Sequence, residues 1–129
     1  MHTAPYFTAF GLLYIVNAWR VISLRRKHRV GLGHGDIPDL RRAIRIFGNF
    51  TEWVPIGLIL LIALEFVQAP YWYQHVMGGI LLLGRIIHSI ALLRSQGASA
   101  DRMIGMILTM FSILLGAVGV SLFSLLPPT

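Results

Sequence analysis

At 129 residues the chain is one domain long, and with 56% hydrophobic and 12% charged residues it carries about half the charge of an ordinary soluble domain. A mean hydropathy of +0.72 excludes a water-soluble globule and indicates a single membrane domain over 1–129. With no cysteine in the chain, disulfides, a thiol nucleophile and cysteine-ligated metal are excluded, so any sulfur chemistry needs a thiol brought by a ligand.

The first predicted element, about 6–25, is too long for the apolar core of a signal peptide and has no basic segment ahead of it, so it reads as a retained span. The connection RVGLGHGDIPD follows. In it Asp36 is placed to cap the next helix, Pro38 suits its first turn, and Asp39 favours the helix dipole. The second span, about 40–67, would run about 42 Å as a helix and so extend past the hydrocarbon on its basic side. A short turn, QAPYWYQ, brings Tyr71, Trp72 and Tyr73 to an interface. The third span covers about 71–93. After RSQGASAD, where Ser99 or Asp101 can cap, the fourth runs about 102–126, and PPT closes the chain. Short loops make sequential helices antiparallel, which predicts an all-α, up-down, four-helix membrane bundle. Gly78, Gly79 and Gly84 in the third span, with Gly105, Gly116 and Gly119 in the fourth, are read as packing positions that let backbones approach.

The net charge of +6 does not indicate nucleic acid, because of where it sits. Arg25, Arg26, Lys27, Arg29, Arg41, Arg42 and Arg45 flank the first connection, and Arg94 and Arg102 flank the third. The positive-inside rule then puts those two loops in the cytoplasm and both termini on the other side. His28 and His34 read as solvated, His2 and His75 as isolated, and Glu65 as interfacial. No metal site is expected from these residues or from the five methionines.

At the entrance of the second span lies a polar stripe. Arg45, Asn49 and Glu52 fall at i, i+4 and i+7, within about 60° of one another on a helix, and Arg41 extends the stripe toward water. Pro55 adds polarity by leaving the Thr51 carbonyl without its helical donor. Arg85 and His88 share a face of the third helix, as Asn17 and Arg20 do in the first. A carboxylate at the depth of Glu52 costs several kcal/mol unless something compensates it. Two arrangements do so. Glu52 can pair with Arg20, Arg45 or Arg85 inside the bundle, with Asn49 tying two helices together. Alternatively, the stripe lines a cavity for a charged guest whose carboxylates meet arginines and whose amine meets Glu52.

The pattern R-x-x-x-N-x-x-E, with proline three residues on, resembles the signature of the MAPEG family, the membrane-associated proteins of eicosanoid and glutathione metabolism. VISLRRKHRV (21–30) is similar to the end of the first helix in one eicosanoid-forming member, and GRIIHSIALL (84–93) to the third helix of another. The run around RIFGNFTEWVP and the following LLLGRIIH resemble small bacterial members most, and the likeness covers nearly the whole chain. The resemblance implies a homotrimer in a bacterial inner membrane, with glutathione as cosubstrate between neighbouring subunits near the cytoplasmic side. It implies glutathione contacts from Arg25, Arg45, Asn49, Glu52, His88 and Arg102, with Glu52 on the α-amine and Arg45 on a carboxylate. It implies that Arg26 stabilises the thiolate that attacks a lipophilic electrophile or lipid hydroperoxide. One position departs from the pattern: active members often carry a tyrosine where this chain has Leu92, a helical turn past His88. That substitution leaves a non-catalytic, lipid-binding member as the alternative. A proton-coupled four-helix exporter fits poorly, since such exporters need a glutamate in the first helix and this one has none.

Overall fold

A computed structural model describes residues 1–94 and 99–126. Four helices account for most of them: α1 (Ala4–His28), α2 (Pro38–Phe66), α3 (Tyr71–Arg94) and α4 (Ala100–Ser124). Each is long and apolar enough to cross a membrane, and the expected spans agree with them to within three residues at each end. The middle of RSQGASAD (95–98) and the terminal PPT lie outside the described residues.

Sequential helices run antiparallel, as the contacts between them show. Phe10 meets Phe50 and Tyr14 meets Phe47 across α1 and α2. From α2 to α3, Gly57 faces Leu81 and Asn49 faces Arg85. Tyr73 reaches the Leu115 carbonyl, Ser112 the Met77 carbonyl and His88 the Arg102 carbonyl across α3 and α4. The α3–α4 pair has the most extensive contact, whereas α1 leans chiefly on α2 and does not pack against α4. Leu12, Ile15, Val16, Trp19 and Ile22 are therefore exposed along α1, as suits a lipid-facing surface.

The glycines explain how closely α3 and α4 approach. A Cβ on Gly105 would stand 2.7 Å from the His88 backbone nitrogen and 2.8 Å from the Gly84 carbonyl. One on Gly84 would stand 2.9 Å from the Gly105 carbonyl. Gly78 takes the Tyr6 ring, and Gly116 and Gly119 take Leu60 and Tyr73 in the same way. Gly79 is the exception, because its nearest neighbour, the Tyr6 hydroxyl, is 3.9 Å away and a methyl group would fit.

The start of α2 differs from expectation in one residue. Pro38 and Asp39 do occupy the first turn, but the N-cap is Ile37, in extended conformation and without a side-chain cap bond. Asp36 cannot cap from where it stands. It adopts a left-handed backbone (φ 56°), its N–H donates to His34 Nδ1, and its carboxylate faces Arg41 at 3.7 Å. At α4 the expected cap is present, with Ser99 Oγ accepting from the Arg102 N–H at 3.3 Å. At the opposite end of the bundle His2 and His75 are not isolated. The His2 ring packs on Tyr71 with centroids 3.9 Å apart, and Tyr6 Oη lies 3.2 Å from His75 Nδ1.

Candidate functional site

The helical stripe on α2 is real, but the bundle divides it. Its members fan over about 60°, enough to straddle the boundary between a core-facing and an outward-facing surface. Asn49 is on the core side and buried, at 6% exposure, while Arg45 and Glu52 are on the outer side and exposed.

Asn49 is held by Arg85 of α3. One guanidinium nitrogen, Nη1, donates to Asn49 Oδ1 at 2.7 Å and to the Asn49 carbonyl at 3.3 Å. Arg85 Nε donates to Thr109 Oγ1 at 3.0 Å, and Thr109 in turn donates to the Gly105 carbonyl. Arg85 is thus 2% exposed, with Nε and Nη1 met by dipoles from α2 and α4, while Nη2 has no hydrogen-bond partner and no carboxylate pairs with it among the described residues. With Oδ1 occupied, the amide of Asn49 can offer only its Nδ2 donors to anything else. Thr109 carries no sequence signal. Only the close approach at Gly84 and Gly105, which fixes the α3–α4 register, brings its hydroxyl to Arg85.

Glu52 is the opposite case. It makes no hydrogen bond or ion pair with any described residue. The internal pairing with Arg20, Arg45 or Arg85 is therefore not what the chain forms. The helix runs through Pro55 without interruption, and Thr51 Oγ1 donates back to the Gly48 carbonyl at 2.9 Å, so this stretch of α2 is polar along its backbone as well. Below it, Ile56, Ile59 and Ile62 present an apolar outer face. A bare carboxylate on such a face is unfavourable by about 3 kcal/mol unless something outside the chain meets it.

The remaining candidates cluster in part. His88, 7% exposed, lies with Nδ1 3.2 Å from the Arg102 carbonyl. Because a carbonyl only accepts, Nδ1 carries the hydrogen and Nε2 is left as an acceptor. This contact ties His88 of α3 to the first turns of α4. Arg25 and Arg26 stand apart. No hydrogen bond or ion pair joins either of them to Arg45, Asn49, Glu52 or His88 within the chain. Arg25 donates from Nη1 to the carbonyls of Val30, Gly31 and Gly33, at 3.5, 3.3 and 2.9 Å, and so clamps the first connection. Arg26, next to it, is exposed. Leu92 is buried at 5% exposure, a helical turn past His88.

The MAPEG family profile matches residues 3–122, nearly the whole chain and all of the residues just described. The chain belongs to the MAPEG family. Among MAPEG-like relatives, it is 38% identical over 88 residues to the inner membrane protein YecN of Escherichia coli K12, a match covering 68% of this chain and 67% of that protein. YecN of Escherichia coli O6:H1 (strain CFT073) matches with the same figures. No solved structure matches. The MAPEG match and the four apolar helices together make this an integral membrane protein, all-helical among the described residues.

Proposed function

We propose that this MAPEG protein is a glutathione-dependent transferase or peroxidase of a bacterial inner membrane, acting as a homotrimer on lipophilic electrophiles or lipid hydroperoxides. The observation that carries this reading is Glu52, a carboxylate on the outer face of an apolar helix with no hydrogen-bond or ion-pair partner among the described residues. A neighbouring subunit covering that face would enclose the carboxylate, and a peptide bound between the two would neutralise it through its α-amine. Arg45, exposed on the same side of α2, would take a carboxylate of the tripeptide. Asn49 would donate from Nδ2, the one function Arg85 leaves to it. His88 would accept at Nε2, and Arg102 would complete the lining. Arg26, next to Arg25 in the last turn of α1, would stabilise the glutathione thiolate with its guanidinium.

A free thiol of pKa about 8.5 is only a few per cent ionised at neutral pH, and an adjacent guanidinium favours release of its proton to water. The thiolate then forms a C–S bond to an electrophilic carbon as the leaving group departs with its electron pair. With a hydroperoxide, two glutathiones are oxidised to the disulfide while the O–O bond is reduced to an alcohol and water. The apolar face of the helices would deliver either substrate from the bilayer.

The test is a titration of glutathione into the detergent-purified protein, followed by conjugation of a chlorinated nitrobenzene. Binding at millimolar or lower concentration that is lost in Glu52→Ala and Arg45→Ala supports the proposal. Failure of the native protein to bind at millimolar glutathione overturns it. Leu92, buried where active members often have a tyrosine, favours one other reading, a non-catalytic lipid-binding member. Lipid co-purifying with the protein in the absence of thiol chemistry would select that reading.

A further inference from the structure

The connection between α1 and α2 turns the two edges of its backbone in opposite directions. The carbonyls of Val30, Gly31 and Gly33 converge on Arg25 Nη1. Every peptide bond here is trans, so the N–H groups in those same peptide planes, on Gly31, Leu32 and His34, point away from Arg25. None of the N–H groups from Gly31 to Gly35 makes a hydrogen bond with any described residue. Gly33 and Gly35 have left-handed φ of 65° and 53°, and His34 between them does not. Backbone that alternates hand in this way gathers successive N–H groups into a concavity suited to an anion.

The surrounding charge has the matching sign. Between residues 25 and 42 the chain has six lysine and arginine side chains against two aspartates. Of the aspartates, Asp36 already faces Arg41 at 3.7 Å, whereas Lys27 and Arg29 are exposed and make no ion pair with any described residue. The 25 residues of α1 run about 37 Å, more than the ~30 Å of hydrocarbon and less than the ~40–45 Å of a bilayer with its headgroups. The connection that follows it therefore lies at headgroup level. At that level Leu32, 92% exposed, has the edge of the acyl layer within reach as an alternative to water.

We propose that this connection binds the phosphate of an anionic phospholipid. The N–H groups of Gly31 to Gly35 meet the phosphate oxygens, Lys27 and Arg29 flank them, and Leu32 inserts beside the acyl chains. A phosphate diester brings negative charge and several acceptors but no donor, the complement of a row of N–H groups whose carbonyls are already committed. The leucine and the depth of the connection point to a lipid and not to phosphate free in water.

The experiment uses the full chain, labelled with nitrogen-15 glycine, in a non-ionic detergent. Short-chain phosphatidylglycerol is titrated in, and in parallel a galactosyl diacylglycerol of the same chains and inorganic phosphate alone. The amide resonances of Gly31, Gly33 and Gly35 should shift saturably with phosphatidylglycerol, while those of Gly11 and Gly79, in the middle of helices, stay in place. Gly33→Ala should weaken the binding about tenfold, because alanine rarely adopts a φ of 65° although nothing lies within 4 Å of its methyl group. Replacing Lys27 and Arg29 together by glutamine should lower the affinity and flatten its salt dependence. An absent shift, or an equal one with the phosphate-free lipid, overturns the proposal. Inorganic phosphate binding as tightly as the lipid overturns the lipid as its source, and unchanged affinity in folded Gly33→Ala overturns the role of the backbone. Should that variant fail to fold, the comparison of ligands on the native protein decides by itself. These ligands contain no thiol and glutathione contains no phosphate, so this proposal and the preceding one succeed or fail separately.

Discussion

The seam between α3 and α4 and the outer face of α2 each hold a charged residue inside an apolar span, and the chain treats the two in opposite ways. Arg85, in the seam, is surrounded by Asn49 and Thr109 and is almost wholly buried. Glu52, on the outer face, is exposed and has no hydrogen bond or ion pair with any described residue. A charge bonded within its own bundle through Nε and Nη1, as Arg85 is although its Nη2 is buried without a partner among the described residues, acts in the architecture. One left bare where water is scarce indicates a group supplied from outside. The same contrast recurs at the basic connection, where Arg25 is bonded to three loop carbonyls and Arg26 is exposed beside it.

The contrast breaks most visibly at Arg85. Arg85→Ala removes the only donor on Asn49 Oδ1 among the described residues and leaves a void among three helices, so it should destabilise the bundle by about 3 kcal/mol. Chemical denaturation in detergent would show this. A loss under about 0.5 kcal/mol would mean that the seam does not depend on its buried charge. Next in size is Gly105→Ala. Its new methyl group would meet backbone atoms of Gly84 and His88, which can give way only by separating the helices, at about 1–3 kcal/mol. Gly79→Ala, with nothing nearer than 3.9 Å, should be neutral and serves as the control. Smaller again is Ser99→Ala, which removes the hydrogen bond to the Arg102 N–H at about 1 kcal/mol. Because the Arg102 carbonyl holds His88, that variant should also loosen ligand affinity if both residues line the site.

Different features of this molecule were legible in the sequence to different depths. The four spans were, because hydropathy and loop punctuation depend on the chain alone. The cap at Ser99 was, because it is a local hydrogen bond. Asp36 was not, since the left-handed backbone at that residue is set by its bond to His34 and turns its carboxylate away from the helix start. The pairing of His75 with Tyr6 needs the contact of α1 with α3, which no local pattern carries. The stripe on α2 shows the limit most clearly. Periodicity put Arg45, Asn49 and Glu52 on one side of a helix, but it could not say that the core boundary runs between Asn49 and its neighbours. Nor could it say that Arg85 would choose the asparagine over the glutamate. Those outcomes depend on the α3–α4 register, which is fixed by Gly84 and Gly105.

Glu52→Gln, like the Gly79→Ala control, should leave stability almost unchanged, yet it separates the two kinds of charge most clearly. The carboxylate makes no hydrogen bond or ion pair with any described residue, so replacing it with an isosteric neutral amide should alter the unfolding free energy of the isolated subunit by less than about 0.5 kcal/mol. If a ligand amine pairs with that carboxylate, the same change removes a charge-assisted bond made away from bulk water, and affinity for glutathione should fall about tenfold or more. Denaturation and glutathione titration on one preparation measure both. A residue that matters to folding would move the first readout, and a residue exposed by accident would move neither. Movement of the second alone is the signature of a side chain kept, against the preference of the surrounding lipid, for a partner that arrives from outside.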